Sequence, residues 1–190
     1  KLSQPGYIHE LVDSQECKDI PVYETPCFED VFVPNNIGND LNIDEKKHFR
    51  STLMKLMFVT KTRPDIKFMV IALSTRMEKP KEYDKMCLNQ IIGYLKGTID
   101  FGLTLKPNGF QIQGESDASF GVHIDGRGHT GGICMIGNSL FRVETSKQPI
   151  VGKSSTECEL IASNKIVEEI IWAKRMLEEM GFEQKTIKIG

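Results

Sequence analysis

The spacing of apolar residues changes from helical to extended near the middle of the chain. Between residues 44 and 97, apolar side chains recur every three or four positions, which is typical of helices that bury one face. Turn residues interrupt this spacing at Thr62-Arg63-Pro64-Asp65 and at Pro80, and Gly97 follows its last apolar position. The pattern predicts three helices in this region, preceded by a short helix over residues 7–12 and a long irregular connection.

Alternation of apolar and polar positions predicts strands in the second half of the chain. The predicted strands cover residues 101–105, 110–116, 131–136, 140–144 and 186–189. A long helix is predicted before the last strand, because an apolar helical face follows the capping-box pattern Ser154-Ser155-Thr156-Glu157 and ends before Gly181. Helices followed by antiparallel strands, one long helix and a returning strand indicate an α+β or α/β fold.

Composition is that of a globular protein with a real core. The 190 residues are 39% hydrophobic and 26% charged, which excludes disordered and fibrous classes. No apolar stretch approaches the roughly 20 residues that a membrane span needs, so we expect no membrane partner. The five cysteines are scattered without metal-ligand spacing, which predicts a reduced intracellular chain without a zinc site.

The net charge of −2 conceals an uneven distribution of charge. Residues 51–110 contain ten basic and five acidic side chains, whereas residues 1–50 contain five and ten. Lys81, Lys85 and Lys96 are candidates for contacts to a polyanion, because phosphate contacts are electrostatic and need no special motif. A row of ordinary solvated helix faces is the alternative interpretation.

Carboxylates at two places are candidates for metal chemistry. Asp117 ends a predicted strand beside the small residues Ala118-Ser119, which leaves room for a metal ion and a phosphate, although an Asp that begins a turn gives the same pattern. Glu157 and Glu159 point roughly 200° apart on the long helix, so at most one can face the sheet. Glu157 fits the capping box, and Glu159 is therefore the better partner for Asp117.

Five short motifs, taken in order, cover nearly the whole chain. They are Gln4-Pro5-Gly6-Tyr7-Ile8, Thr62-Arg63-Pro64-Asp65-Ile66, Tyr94-Leu95-Lys96-Gly97-Thr98, Ser116-Asp117-Ala118-Ser119, and Lys147-Gln148 followed by Ser154-Ser155-Thr156-Glu157-Cys158-Glu159. This series resembles the C-terminal part of the Pol polyprotein of copia-type LTR retrotransposons. The resemblance implies that residues 1–100 end the reverse transcriptase region, as its mostly helical thumb and connection. Residues 101–190 would then begin an RNase H-like mixed sheet with one long helix, truncated in this chain.

The resemblance also implies an activity for the parent polyprotein, an RNA-directed DNA polymerase with ribonuclease H. Asp117 and Glu159 match the first two carboxylates of the family's RNase H site. These carboxylates would hold Mg²⁺, or Mn²⁺ in its place, and cut the RNA strand of an RNA–DNA hybrid by two-metal catalysis. The third carboxylate would follow Gly190, so we expect this chain to be inactive alone. The implied partners are an RNA–DNA hybrid and the rest of Pol. The implied location is intracellular, in a cytoplasmic virus-like particle with a nuclear phase.

Several positions depart from the family pattern. Phe120 and Arg142-Val143 stand where the family has Trp, and His129 and Gly131 replace small hydroxyl residues. These departures keep a second interpretation open. In it, the chain is a degenerate or host-adopted fragment that serves as a non-catalytic nucleic-acid-binding or structural module.

Overall fold

The computed structural model describes residues 1–28, 38–184 and 187–190. The chain divides into two compact units, Lys1–Leu103 and Thr104–Gly190. The first unit is helical, and the second contains a four-stranded sheet and one long helix. The α+β fold class predicted from the hydrophobic spacing is therefore confirmed.

The described part of the first unit contains the α-helices α1 (Pro5–Val12), α2 (Ile43–Val59), α3 (Lys67–Ser74) and α4 (Glu82–Gly97), with a 3-10 turn at Pro64–Ile66 before α3. Asn42 caps α2, because its Oδ1 accepts from the Glu45 N–H at 2.9 Å and Glu45 Oε2 accepts from the Asn42 N–H at 3.1 Å. The helices bury one continuous core that includes Ile8, Phe49, Leu53, Leu73, Leu88 and Ile91. Part of the predicted long connection, residues 29–37, lies outside the described residues.

The second unit contains β1 (Ile112–Ser119), β2 (His129–Ile136), β3 (Ser139–Lys147), α5 (Ser155–Glu179) and β4 (Lys188–Ile189). The strand order is β3-β2-β1-β4, in which β2 pairs antiparallel with both β3 and β1, and β4 pairs parallel with β1. The antiparallel pair β2–β3 and the long helix α5 were predicted from the sequence. Of the predicted last strand, residues 188 and 189 pair with β1, and residue 186 lies outside the described residues.

The predicted strand at residues 101–105 is wrong. Leu103 forms only an isolated bridge to Leu2, in which the two residues exchange N–H···O bonds of 2.8 and 2.9 Å. A five-residue alternation thus marks an extended segment that is fastened to the start of the chain within the first unit. The next strand begins at Ile112 and not at residue 110, since Phe110 leaves the ladder and stacks on Phe182 with ring centroids 3.9 Å apart.

Helix α5 packs on one face of the sheet at two glycines. A Cβ added at Gly114 or Gly132 would overlap the side chain of Ile166 on α5, so both strands must lack side chains there. Ser116, two residues after Gly114, lies on the same face and brings its Oγ 3.0 Å from Ser163 Oγ of α5. Because successive side chains of a strand alternate between faces, this contact determines which face of the sheet each residue of β1 points to.

None of the helices in the described part of the chain is both long enough and apolar enough to cross a membrane.

Candidate functional site

Asp117 lies on the face of the sheet that α5 does not cover. It follows Ser116, which contacts α5, and its backbone pairs with Gly131 of β2. The Asp117 side chain is exposed to solvent. The alternation of β1 therefore directs this carboxylate away from the long helix.

Glu159 lies in the second turn of α5, on the other side of the sheet, and is half-buried. It precedes Ser163 by one helical turn, so it is directed toward the face that carries Ser116. The structure does not bring Asp117 and Glu159 to one side of the sheet, whereas two metal ions about 3.5–4 Å apart need carboxylates that converge. Among residues 1–28, 38–184 and 187–190, no group of three or more Cys, His, Asp or Glu side chains could hold a metal ion. Metal binding by Asp117 and Glu159 stays a prediction.

Glu157 caps the long helix, as the sequence suggested. Ser154 Oγ accepts from the Glu157 N–H at 3.2 Å, and Glu157 Oε2 accepts at 2.7 Å from the N–H of Lys153, one residue before the cap. The carboxylate is therefore used at the helix start.

A buried histidine shares the sheet face of Asp117. His129 is 5% exposed, and its Nε2 lies 2.7 Å from Thr145 Oγ1 while its Nδ1 lies 3.1 Å from His123 Nε2. Burial, reinforced by the neighbouring His123, lowers the pKa of His129 from 6.5 to about 4. His129 is thus a neutral hydrogen-bonding residue near pH 7. The sequence marked it only as a departure from the family, because its contact with Thr145 depends on the register of β2 and β3.

Three of the five sequence motifs meet in the first unit. Arg63 is 1% exposed, and its guanidinium donates to Asp65 Oδ2 and to the carbonyl and hydroxyl oxygens of Thr98, each at 2.7 Å. Tyr94 donates its O–H to Asp65 Oδ2 at 2.9 Å, and Thr62 donates to Gln4 Oε1 at 2.8 Å. These motifs therefore join α1, the turn before α3 and the end of α4, and their role is structural.

The Asp65 carboxylate in this network stays ionised. Partial burial works to raise its pKa, but hydrogen bonds from Arg63 and Tyr94 outweigh burial and hold the pKa below its usual value. Arg63 is therefore a buried cation with a permanent partner, and neither charge is available for a ligand.

Gln148 of the fifth motif also has a structural role. Gln148 is 1% exposed and donates from Nε2 to the Cys158 carbonyl at 2.9 Å and to Thr130 Oγ1 at 3.3 Å. Its backbone N–H donates to the Gly128 carbonyl at 2.9 Å. Gln148 thereby ties the start of α5 to the start of β2.

The three candidate lysines follow one stripe of α4, but two of them bind other parts of the first unit. Lys85 Nζ lies 2.8 Å from Glu45 Oε1, and this hydrogen bond lowers the pKa of Glu45. Lys96 Nζ donates to the carbonyls of Lys18 at 2.7 Å and of Ile20 at 3.2 Å. Lys81 is the N-cap residue of α4, and its N–H donates to Asp84 Oδ2 at 2.9 Å. Nucleic-acid binding by these lysines stays a prediction.

The surroundings of Lys85 are acidic. It lines a cavity of about 400 Å³ together with Glu16, Asp44 and Glu45, and the floor of this cavity is formed by Phe49 and Leu88. Three carboxylates beside one ammonium group repel a polyanion.

Helices followed by an antiparallel meander, a long helix and a parallel returning strand are consistent with the beginning of an RNase H-like domain. Comparison with known proteins finds homologues of the chain. The chain is 29% identical over 191 residues to the "Retrovirus-related Pol polyprotein from transposon TNT 1-94" of Nicotiana tabacum, which covers 97% of this chain and 14% of that protein. It is 30% identical over 182 residues to the "Retrovirus-related Pol polyprotein from transposon RE1" of Arabidopsis thaliana, covering 95% of this chain and 12% of that protein. These homologues are Pol polyproteins of copia-type retrotransposons, of which the chain spans a small part, and the resemblance inferred from the motifs is confirmed.

A shorter relative is matched as well. The chain is 28% identical over 177 residues to an uncharacterized mitochondrial protein of Arabidopsis thaliana, covering 90% of this chain and 71% of that protein. No protein-family model matches the chain. No solved structure matches it.

Proposed function

We propose that the chain serves as the connection and RNase H-like portion of a retrotransposon Pol polyprotein, and that it binds RNA–DNA hybrids in that setting. The observation that carries this proposal is a sheet of order β3-β2-β1-β4, with α5 before β4, in a chain that aligns with a Pol polyprotein over 97% of its length. The units Lys1–Leu103 and Thr104–Gly190 would correspond to the end of the reverse transcriptase region and the start of RNase H.

Hydrolysis of the RNA strand, with Mg²⁺ or Mn²⁺, is proposed for the parent polyprotein and not for this chain alone. The two-metal reaction needs a third carboxylate besides Asp117 and Glu159, and the family resemblance puts that residue after Gly190. In this chain the proposed contribution is binding and orientation of the hybrid.

A second candidate function is a non-catalytic module that works outside Pol. The match that covers 71% of an uncharacterized mitochondrial protein favours it, because that relative is much shorter than a Pol polyprotein.

Binding and cleavage assays with the full chain test these proposals. The chain is titrated into a fluorescently labelled RNA–DNA hybrid at ~50 mM salt, and a DNA duplex of the same sequence is used as competitor. We expect saturable binding that favours the hybrid, whose shape and 2′-OH groups differ from those of DNA. Absence of binding would overturn the Pol-associated function and favour a purely structural module.

The cleavage arm uses the same labelled hybrid with Mg²⁺ and, as a control, with a chelator. We expect the hybrid to remain intact in both. Mg²⁺-dependent cleavage that is lost in Asp117→Asn would overturn the assignment of catalysis to the parent polyprotein alone.

A further inference from the structure

We propose that Cys27 and Cys87 form a site of reversible oxidation, at which a peroxide converts the two thiols into a disulfide. Cys87 lies on α4, and Cys27 lies in the segment formed by residues 18–28, downstream of α1. The bond would attach segment 18–28 covalently to α4 within the first unit.

Segment 18–28 lies along one side of α4 and runs in the direction opposite to the helix. Near the C-terminal end of α4, Lys96 Nζ donates to the Ile20 carbonyl at 3.2 Å. Nearer the start of the helix, Gln90 Nε2 donates to the Thr25 carbonyl at 3.2 Å. Later residues of the segment therefore lie beside earlier residues of the helix.

Two glycines of α4 let the segment approach the helix closely. A Cβ added at Gly93 would overlap the Pro21 carbonyl oxygen and the Tyr23 ring, and a Cβ added at Gly97 would overlap the Val22 side chain. The segment therefore occupies space that a side chain would fill at either glycine. Its position on the helix is set by packing as well as by hydrogen bonds.

Cys87 shares one side of α4 with two residues that contact the segment. Tyr83, Cys87 and Gln90 are separated by four and three positions, so their side chains lie on one stripe of the helix. The Tyr83 ring lies 6.3 Å from the Phe28 ring, measured between centroids. The segment therefore passes Cys87 between its contacts with Gln90 and Tyr83.

Cys27 is the residue of the segment that lies nearest to this point. It stands between Thr25 and Phe28, and it packs against the hydrophobic core that contains Cys87. Burial raises the pKa of Cys87 to about 11, and Cys27 is one of the neighbouring groups that add to this increase. An electrostatic effect of one thiol on the other agrees with their being neighbours.

Exposure makes Cys27 the thiol that a peroxide reaches first. All five cysteines lie in the described residues, and Cys27 is half-buried, whereas the others are buried: Cys17, Cys87, Cys134 and Cys158. Burial also raises the pKa of Cys27, so both members of the pair are thiols near pH 7. Because the thiolate is the reactive form, the oxidation is expected to be slow near pH 7 and faster in alkali.

Cys17 is too far along the helix to replace Cys87. Its neighbour Lys18 contributes the carbonyl that accepts from Lys96 Nζ at 2.7 Å, which places this end of the segment nine residues beyond Cys87 on α4. Nine residues correspond to ~13 Å of helix axis. A disulfide requires Cα atoms within about 7 Å of each other. The geometry therefore selects Cys87 as the partner of Cys27.

The proposed reaction consumes one hydrogen peroxide for each disulfide. The Cys27 thiolate attacks one peroxide oxygen, the O–O bond breaks, and a sulfenic acid forms as hydroxide leaves. The Cys87 thiolate then attacks the Cys27 sulfur, so that the S–S bond forms and the S–O bond breaks. In total the two thiols lose two electrons and two protons, and the peroxide is reduced to two waters.

The test treats the full chain with hydrogen peroxide, blocks the remaining thiols with N-ethylmaleimide in denaturant, and identifies disulfide-linked peptides by mass spectrometry. We expect the Cys27–Cys87 pair to exceed any other pair by at least about 10-fold, because the fold brings these two thiols together. Dithiothreitol should reverse the link. The link should form roughly 10- to 100-fold faster at ~pH 9 than at ~pH 7, and an equal rate at both would overturn the proposed thiolate mechanism.

Variants and an unfolded control complete the test. Cys27→Ser should abolish the linked peptide, whereas the matched control Cys17→Ala should retain it, and circular dichroism checks that both variants fold. Links that form mainly between other cysteines, or a sulfinic acid at Cys27 without a link to Cys87, would overturn the inference. If wild type unfolded in urea gives the same share of Cys27–Cys87 links as the folded chain, the fold does not cause the pairing and the inference is also overturned.

Discussion

Acidification should destabilise the second unit through His129. This imidazole is 5% exposed, and burial together with His123 lowers its pKa to about 4, although Glu144 opposes the shift. Since the unfolded chain would protonate His129 at about its ordinary pKa of 6.5, the unfolded state binds more protons between these two values. The free energy of unfolding is therefore highest above the pKa that His129 has in the unfolded chain. It decreases as the pH falls from that value toward 4.

The size of this effect follows from the pKa difference. A depression from 6.5 to about 4 corresponds to about 3 kcal/mol when the full range is crossed. Between about pH 7 and about pH 5, linkage predicts a loss of about 2 kcal/mol from this group. That loss is a large fraction of the stability of a small domain.

Urea unfolding at both pH values measures the effect. Trp172, the one tryptophan of the chain, lies on α5 and reports the second unit by its fluorescence. The matched control is His129→Ser, which removes the titrating group while every other histidine remains. We expect the control to be less stable than wild type at about pH 7 but to lose about 2 kcal/mol less on acidification. An equal loss in both proteins would refute the assignment of this pH dependence to His129.

Three other substitutions follow from buried contacts. Arg63→Met leaves the Asp65 carboxylate without its charged partner and should lower the free energy of unfolding by about 3 kcal/mol in a thermal melt; an unchanged melting temperature would contradict the network. Gly132→Ala must displace a side chain of α5 and should cost about 2 kcal/mol, whereas Gly131→Ala meets only a carbonyl oxygen at 3.8 Å and should be tolerated. Lys96→Met should lower the free energy of unfolding by about 1 kcal/mol without changing the salt dependence of hybrid binding. A shallower salt dependence would show that Lys96 contacts the nucleic acid.

The helices and hairpins could be predicted from the sequence because their hydrophobic periods are local. The 3.6-residue spacing of α2 and α4 persists for two or more helical turns. The two-residue alternation around β2 and β3 likewise persists for two or more residue pairs. The strand predicted at residues 101–105 was wrong because an extended segment that pairs at a single residue also gives a short alternating pattern. Here that segment pairs only through Leu103 and Leu2. Local periodicity therefore identifies elements but not their neighbours.

The direction of Asp117 could not be predicted in the same way. A shift of one residue moves every side chain of a strand to the other face, and the phase of β1 is set by distant contacts with α5. Two contacts with α5 determine that phase. Gly114 lies against Ile166 and Ile170, and Ser116 lies beside Ser163. The sequence contains the residues of these contacts but not the pairing between them.

The tertiary contacts of the candidate lysines also could not be predicted from helical spacing. Helical spacing placed Lys81, Lys85 and Lys96 on one stripe, but Lys96 binds a carbonyl 78 residues away in the chain.

Photochemical cross-linking of the full chain to an RNA–DNA hybrid tests the central claim most directly. The hybrid carries a photoreactive base, and mass spectrometry identifies the peptides to which it becomes attached. The account predicts saturable cross-links that are suppressed by excess unlabelled hybrid. Cross-linking no stronger than that of an unrelated basic protein would contradict it.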